Sequence, residues 1–352
     1  MNQEQDQEVP LIPVVRQPRG AAYFWGTWTG RLQVVNAIVF LLMVFVDSSA
    51  IFVPGQDLVR SFGSKSLVEI ANGEWWRYVT PVFVHIGAIH FFFNAMGLYY
   101  IGYQIEHILG WRWYLAVYML AGIIGNLTSC LASVQISAGA SGAIFGLLGA
   151  GFRLEGLVSD AFDNYGGRQR PRRRIYTSMA LTNIALGLFI PVIDNAAHIG
   201  GFVGGLIVTE IMLRVRPNRL RRPGKFGAAL LALGVLIFAV IAVARTNDKD
   251  KVSSRYYREA VKAESARDAY YLLSESLRVR PLEVRSLLYR GRLLLQNGEG
   301  AAGLRDISVA MKTGKVTRED IESLASDLRL TGHSAEAELV LRLSVNGEGL
   351  DL

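Results

Sequence analysis

Seven apolar runs, most of them near the ~20 residues that cross a bilayer as a helix, follow one another between about Leu32 and Ala244 and leave few folds open to the chain. They cover about Leu32–Val53, Val82–Tyr103, Trp113–Ser133, Ser141–Leu157, Ile175–Ile193, Ala196–Leu213 and Phe226–Ala244. The fourth and sixth are shorter, which predicts helix ends below the membrane surface, where water can enter a cavity. With 51% hydrophobic residues and a mean hydropathy of +0.27, the chain is too apolar for an ordinary soluble protein of 352 residues. The expected fold class is all-α: a polytopic membrane helix bundle followed by a helical domain.

Charge orients the spans. From Thr246 onward 17 basic residues balance 17 acidic ones, so the net +7 resides in the first 245 residues. Arg168, Arg170, Arg172, Arg173 and Arg174 separate the fourth and fifth runs; Arg214, Arg216, Arg219, Arg221, Arg222 and Lys225 separate the sixth and seventh. Basic loops stay cytoplasmic, which puts the N-terminus inside and the long Pro54–Pro81 connection outside, with the domain after the seventh span outside as well. A bacterial cytoplasmic membrane is the expected location. Because the basic residues lie between spans instead of lining one domain, nucleic acid is not an expected partner. Residues 1–30 read as a flexible cytoplasmic tail without a cleavable signal, so the first run is kept as a span. A single cysteine, Cys130, excludes an internal disulfide framework.

The stretch Gly139-Ala140-Ser141-Gly142 carries a hydroxyl into the start of the fourth run, and His198, followed by Gly200-Gly201 and Gly205, opens the sixth. Small residues flanking a serine can be packing filler, whereas a histidine in a membrane helix calls for a function. Ser141 is a candidate nucleophile, His198 its general base and acid, and the Ser141 backbone N–H with His90 and Asn94 candidate oxyanion donors. His90 and Asn94, four apart, share a helix face, although they could also satisfy polar neighbours in a bundle. Asp194, four residues before His198, reads as a helix-start residue and not as a third catalytic acid. His85 and His90 are five apart and lack a metal-ligand spacing, so neither metal nor cofactor is expected. Small-residue faces at Gly142, Gly146, Gly201 and Gly205 would let the two helices approach closely.

These motifs, in this order with Trp76-Arg77 and Glu106-His107-Ile108-Leu109-Gly110, resemble the rhomboid family of intramembrane serine proteases over about Leu32 to Leu213. The resemblance implies a six-helix core with a Ser141–His198 dyad, no metal and no third acid, and a seventh helix as an addition. It implies that His90 and Asn94 assist the oxyanion and that Phe145 packs on the His198 ring, with Gly139, Gly142 and Gly201 in support. Trp76 and Arg77 would belong to a membrane-embedded first loop, and Glu106 to a polar network steadying that loop and the second helix. A plain helix-end charge is the other reading of Glu106. Substrates would be single-span membrane proteins cut near the outer end of the helix. A non-catalytic membrane adaptor is the alternative, and Ser141 substitution separates the two.

The domains expected are a tail (1–30), a protease core (31–213), a basic loop with the seventh helix (214–245) and a helical-repeat domain (246–352). In the last, Gly298 and Gly332 are 34 apart (332 − 298), and Ala269, Gly303 and Ala337 keep the same interval. That is the period of tetratricopeptide repeats, predicting a module that docks a protein partner.

Overall fold

The structure, a computed structural model, describes residues 24–164, 174–190, 193–215 and 225–346, with side chains 156–175 and 345–346 excepted. The N-terminal tail up to Tyr23, and the arginines at 168–173 and 216–222 on which the expected orientation rests, lie outside the described residues.

Helix α1, Trp28–Val46, begins where the Thr27 side chain accepts the Gly30 N–H at 3.1 Å. It stops earlier than the apolar run because Asp47 turns its carboxylate onto the Ser49 N–H at 2.8 Å and starts a short 3-10 turn, Ser48–Ile51. Two short helices follow, α2 (Gln56–Ser61) and α3 (Leu67–Ala71), then 3-10 turns at Trp75–Tyr78 and Thr80–Phe83. The second run is not one regular helix. It comprises α4, Ala88–Gly97, a π-helical turn at Leu98–Gly102, and α5, Tyr103–Leu109.

Helices α6 (Trp111–Ala132), α7 (Ser141–Asn164), α8 (Arg174–Phe189), α9 (Asn195–Val215) and α10 (Lys225–Asn247) complete the apolar series. The expectation that the fourth and sixth spans are short is corrected: α7 has 24 residues and α9 has 21. Charges inside both apolar runs are paired. Glu210 on α9 accepts from Arg153 on α7 and from Arg214, each at 2.7 Å, so helix can persist where single charges would end a span. The shorter apolar helix is the fifth, Tyr176–Phe189. Among the described residues, α1, α6, α9 and α10 are long and apolar enough to cross a membrane, and the protein is an integral membrane protein.

The core of this first unit, residues 1–66 and 75–243, surrounds α7. Leu98, Tyr114, Tyr118, Ala143 and Leu147 are all fully buried there. Helices α7 and α9 nearly touch: a Cβ built on Gly201 would lie 2.0 Å from the Gly142 carbonyl oxygen, a contact no larger residue could make. Backbone proximity of that order brings a short serine side chain within reach of a histidine one helix away.

The second unit comprises residues 244–352 together with 67–74, which the sequence reading assigned to the membrane core. Among the described residues, six of its helices form three hairpins: α11 (Lys249–Val261) with α12 (Ala266–Val279), α13 (Val284–Gln296) with α14 (Gly300–Lys312), and α15 (Arg318–Leu330) with α16 (Ser334–Asn346). Helices α13 and α15 start 34 residues apart (318 − 284). Three of the residues that marked this interval are packing positions, Ala269 and Ala337 being buried and Gly303 lying against Gly291 and Leu295, while Gly298 and Gly332 adopt positive φ with nothing near a built Cβ. Arg290 of α13 forks onto Asp306 of α14 at 2.7 and 2.9 Å, and the buried hydroxyls of Ser253, Ser276 and Ser286 link three helices at 2.8 Å per bond. Helix α3 belongs to this unit through Glu69, which accepts from Arg278 of α12 at 2.8 Å.

Candidate active site

Ser141 is the first residue of α7 and His198 the fourth of α9. Their side chains meet, with His198 Nε2 2.9 Å from Ser141 Oγ. The His198 ring is 7% exposed, and Phe145, one turn beyond Ser141, stacks on it with centroids 4.1 Å apart and planes 9° from parallel. His198 Nδ1 has no hydrogen-bond partner among the described residues. The ring is therefore oriented by stacking, where many serine hydrolases use a carboxylate.

The backbone approaching Ser141 is fixed by its neighbours. Gly139 donates its N–H to the Pro81 carbonyl at 2.8 Å and adopts φ +132°, where a side chain would be strained. A Cβ there would also strike the His90 ring, at 2.6 Å from Cε1 and 2.8 Å from Nε2. His90 Nδ1 accepts the Ile86 N–H at 3.3 Å, so a neutral ring carries its proton on Nε2, the edge turned toward Gly139 and Ser141. Asn94 is buried and donates one amide N–H to the His90 carbonyl at 2.9 Å, which leaves its second for another acceptor. As the first residue of a helix, Ser141 has a backbone N–H without an intrahelical partner, at the positive end of the helix dipole.

The remaining candidates lie farther out. Arg77 is buried and donates to the carbonyls of Arg60 and Ser64 at 2.8 and 2.9 Å, stitching the first loop to itself, while Trp75 and Trp76 are exposed and pack edge to face. Glu106 does not steady the first loop. Its carboxylate accepts the N–H groups of Trp28 and Thr29 at 2.9 and 2.8 Å and the Thr29 hydroxyl at 2.7 Å, capping the start of α1 instead. A carboxylate at a helix N-terminus meets both orphan donors and the dipole, which is why an acid pays no penalty at that depth.

A buried polar cluster beside the dyad escaped the sequence reading. Lys65, Ser129 and Asp194 lie on the first loop, on α6 and just before α9. Lys65 Nζ donates to Ser129 Oγ at 3.0 Å and to the Ser133 carbonyl at 3.3 Å, and Ser129 Oγ donates to Asp194. Asp194 also accepts the Ala197 N–H at 2.9 Å, the helix-start role expected of it. Burial pushes the Asp194 carboxyl up, but Lys65, Ser129, Ser137 and the Ala197 amide together hold it below its ordinary value. No pattern in sequence marks a lone lysine in a polar loop as buried. Asn126, which donates to the Tyr78 carbonyl at 2.9 Å and ties α6 to the first loop, was missed for the same reason.

The apolar part of the chain is similar to known proteins. The Rhomboid domain family profile matches residues 72–215. The rhomboid protease GluP of Bacillus subtilis (strain 168) is 38% identical over 214 residues, 60% of this chain and 38% of that protein. YdcA of the same organism, also named for a rhomboid protease, is 33% identical over 43% of this chain and 73% of its own length. RHOMBOID-like protein 5 of Arabidopsis thaliana is 32% identical over 47% of this chain and 52% of its own. The match thus spans about half or less of GluP and of the plant protein.

Proposed function

The chain belongs to the rhomboid family, and from that premise we propose that it is an intramembrane serine endopeptidase acting through Ser141 and His198. The observation that carries this reading is the 2.9 Å approach of His198 Nε2 to Ser141 Oγ, with the ring held by Phe145. His198 Nε2 takes the hydroxyl proton as Ser141 Oγ attacks the scissile carbonyl. The resulting oxyanion meets the Ser141 backbone N–H, the free amide N–H of Asn94 and the Nε2–H of His90. His198 then passes its proton to the leaving amine, and a water activated by the same ring releases the acyl-enzyme. A donor of this kind is typically worth ~10²–10³ in turnover.

The substrate class that fits is a single-span membrane protein cut near the outer end of its helix, where small and helix-breaking residues expose the peptide bond. We assign the 34-residue hairpins to a tetratricopeptide-like module that docks a protein partner, and place the N-terminus inside and this module outside the membrane, on the charge of the basic loops. The test is cleavage of a fluorophore-tagged single-span peptide by the detergent-purified full chain. Wild type should cleave, and Ser141→Ala and His198→Ala should each abolish cleavage while peptide binding persists. A wild type that binds such peptides and leaves them intact would sink the protease reading in favour of the adaptor.

A further inference from the structure

We propose that Lys65 is a positioning residue for the dyad, a buried ammonium that joins the segment bearing Ser141 to the helix bearing His198 and fixes the distance between them. The proposal rests on the protease reading.

Lys65 reaches both arms at once. Its backbone forms an antiparallel bridge with Ser137, four residues before Ser141: Lys65 N–H donates to the Ser137 carbonyl at 2.8 Å and Ser137 N–H returns to the Lys65 carbonyl at 3.2 Å. Its side chain runs the other way, through Ser129 Oγ at 3.0 Å to Asp194, four residues before His198. Asp194 in turn holds the start of α9 twice, by its carboxylate on the Ala197 N–H at 2.9 Å and by its carbonyl on the His198 N–H at 3.1 Å. Lys65 thus ties the Ser141 arm through its backbone and the His198 arm through its side chain and the Ser129 hydroxyl, beside a second link in which the Ser137 side chain hydrogen-bonds Asp194. Lys65 and Ser129 are both 0% exposed.

A lysine beside a serine hydroxyl is also the arrangement of a Ser–Lys nucleophile pair. Here it is not one. Ser129 directs its proton to Asp194 and not to Lys65, and neither Lys65 nor Ser129 is open to a substrate. The cluster is instead a charge pair bridged by a hydroxyl. A buried charge whose partner is removed is expensive, so either change alone should push loop or helix away from the other, whereas removing both charges should be tolerated better than removing one.

The experiment compares Lys65→Met, Asp194→Asn and the double variant with wild type in the full chain, reading kcat and KM on the same tagged peptide together with melting temperature. Each single change is expected to lower kcat at least about tenfold in folded protein with KM within about twofold, since displacement of a catalytic group costs turnover before binding. The double variant should regain at least about threefold over the weaker single. Should a single variant fail to fold, Ser129→Ala removes only the bridging hydroxyl and should give a smaller fall of the same kind, about threefold in kcat. Single variants with lowered melting temperature but wild-type kcat, or a double variant no better than the worse single, would overturn the proposal with the protease reading intact. An inert wild type overturns that reading and, with it, any dyad for Lys65 to position.

Discussion

Because His198 Nδ1 is buried with no hydrogen-bond partner among the described residues, its ring is kept on Ser141 by packing and by the Nε2–Oγ hydrogen bond it makes there. Phe145 supplies that packing along the whole ring face, at a 4.1 Å centroid separation. Stacking of this kind contributes about 0.5–1.5 kcal/mol beyond the area it buries, equivalent to roughly two- to tenfold in the population of the productive rotamer. Phe145→Ala should therefore lower kcat about tenfold with little change in KM, and Phe145→Tyr, which keeps the ring, should stay within about threefold. Steady-state kinetics on the tagged peptide decide it; a Phe145→Ala variant with unchanged kcat would show that the imidazole is held by something else. The polar candidates differ from Phe145 in how readily their surroundings can be inferred. That Glu106 is an interface acid is legible from its place at the end of an apolar run. That its three acceptor contacts go to Trp28 and Thr29 is not, because they close a loop of nearly 80 residues that only the packed bundle brings together.

Helices α7 and α9 hold the dyad by the absence of side chains. At Gly201 a Cβ would sit 2.0 Å from the Gly142 carbonyl oxygen, so even alanine forces the backbones apart by more than an ångström. Gly201→Ala should lower kcat about tenfold or more, since reacting groups displaced by about 1 Å can lose ~10²-fold. Gly234 on α10 provides the control: nothing lies within 4 Å of its built Cβ, and alanine there should leave activity unchanged and stabilise the helix by ~0.5–1 kcal/mol. Comparing kcat and melting temperature of the two variants separates a packing effect from a helix-propensity effect; equal kcat in both would remove close approach as the reason for the glycines. The existence of these helices was legible because apolar runs and small-residue spacing are local patterns. The pairing of the charges inside them was not, since Arg153 and Glu210 meet only after the helices pack. The π-helical turn inside the second run has no local signal either, as Leu98–Gly102 is as apolar as the helix around it.

At the scale of the whole chain, the two compact units part between residues 243 and 244, and Leu67–Glu74 groups with the later one. The interval of 34 residues was visible in Gly298, Gly332 and the small residues Ala269, Gly303 and Ala337, because a spacing is read directly from the sequence. The membership of Leu67–Glu74 was not, because it depends on Glu69 and Arg278, 209 residues apart. Helix α3 has five residues, too few to hold a helix alone, yet all five are buried, Leu67 and Ile70 completely. Its order must come from what covers it, and within its unit that includes the Arg278 guanidinium on Glu69 at 2.8 Å. A chain ending at Asn247 lacks all three hairpins, and amide exchange at residues 67–74 should then be at least about tenfold faster than in the full chain, with α9 unchanged. Arg278→Ala in the full chain should give a smaller effect, about fivefold or ~1 kcal/mol, because the guanidinium is half exposed and solvent already screens the pair. Mass-spectrometric exchange on peptides spanning 67–74 distinguishes the outcomes. Undiminished protection in the truncated chain would mean that the first loop orders itself. Accelerated exchange confined to this segment would make the hairpins part of the loop's own fold, so that a partner binding them acts on the segment directly preceding Trp75, Trp76 and Arg77 in the chain.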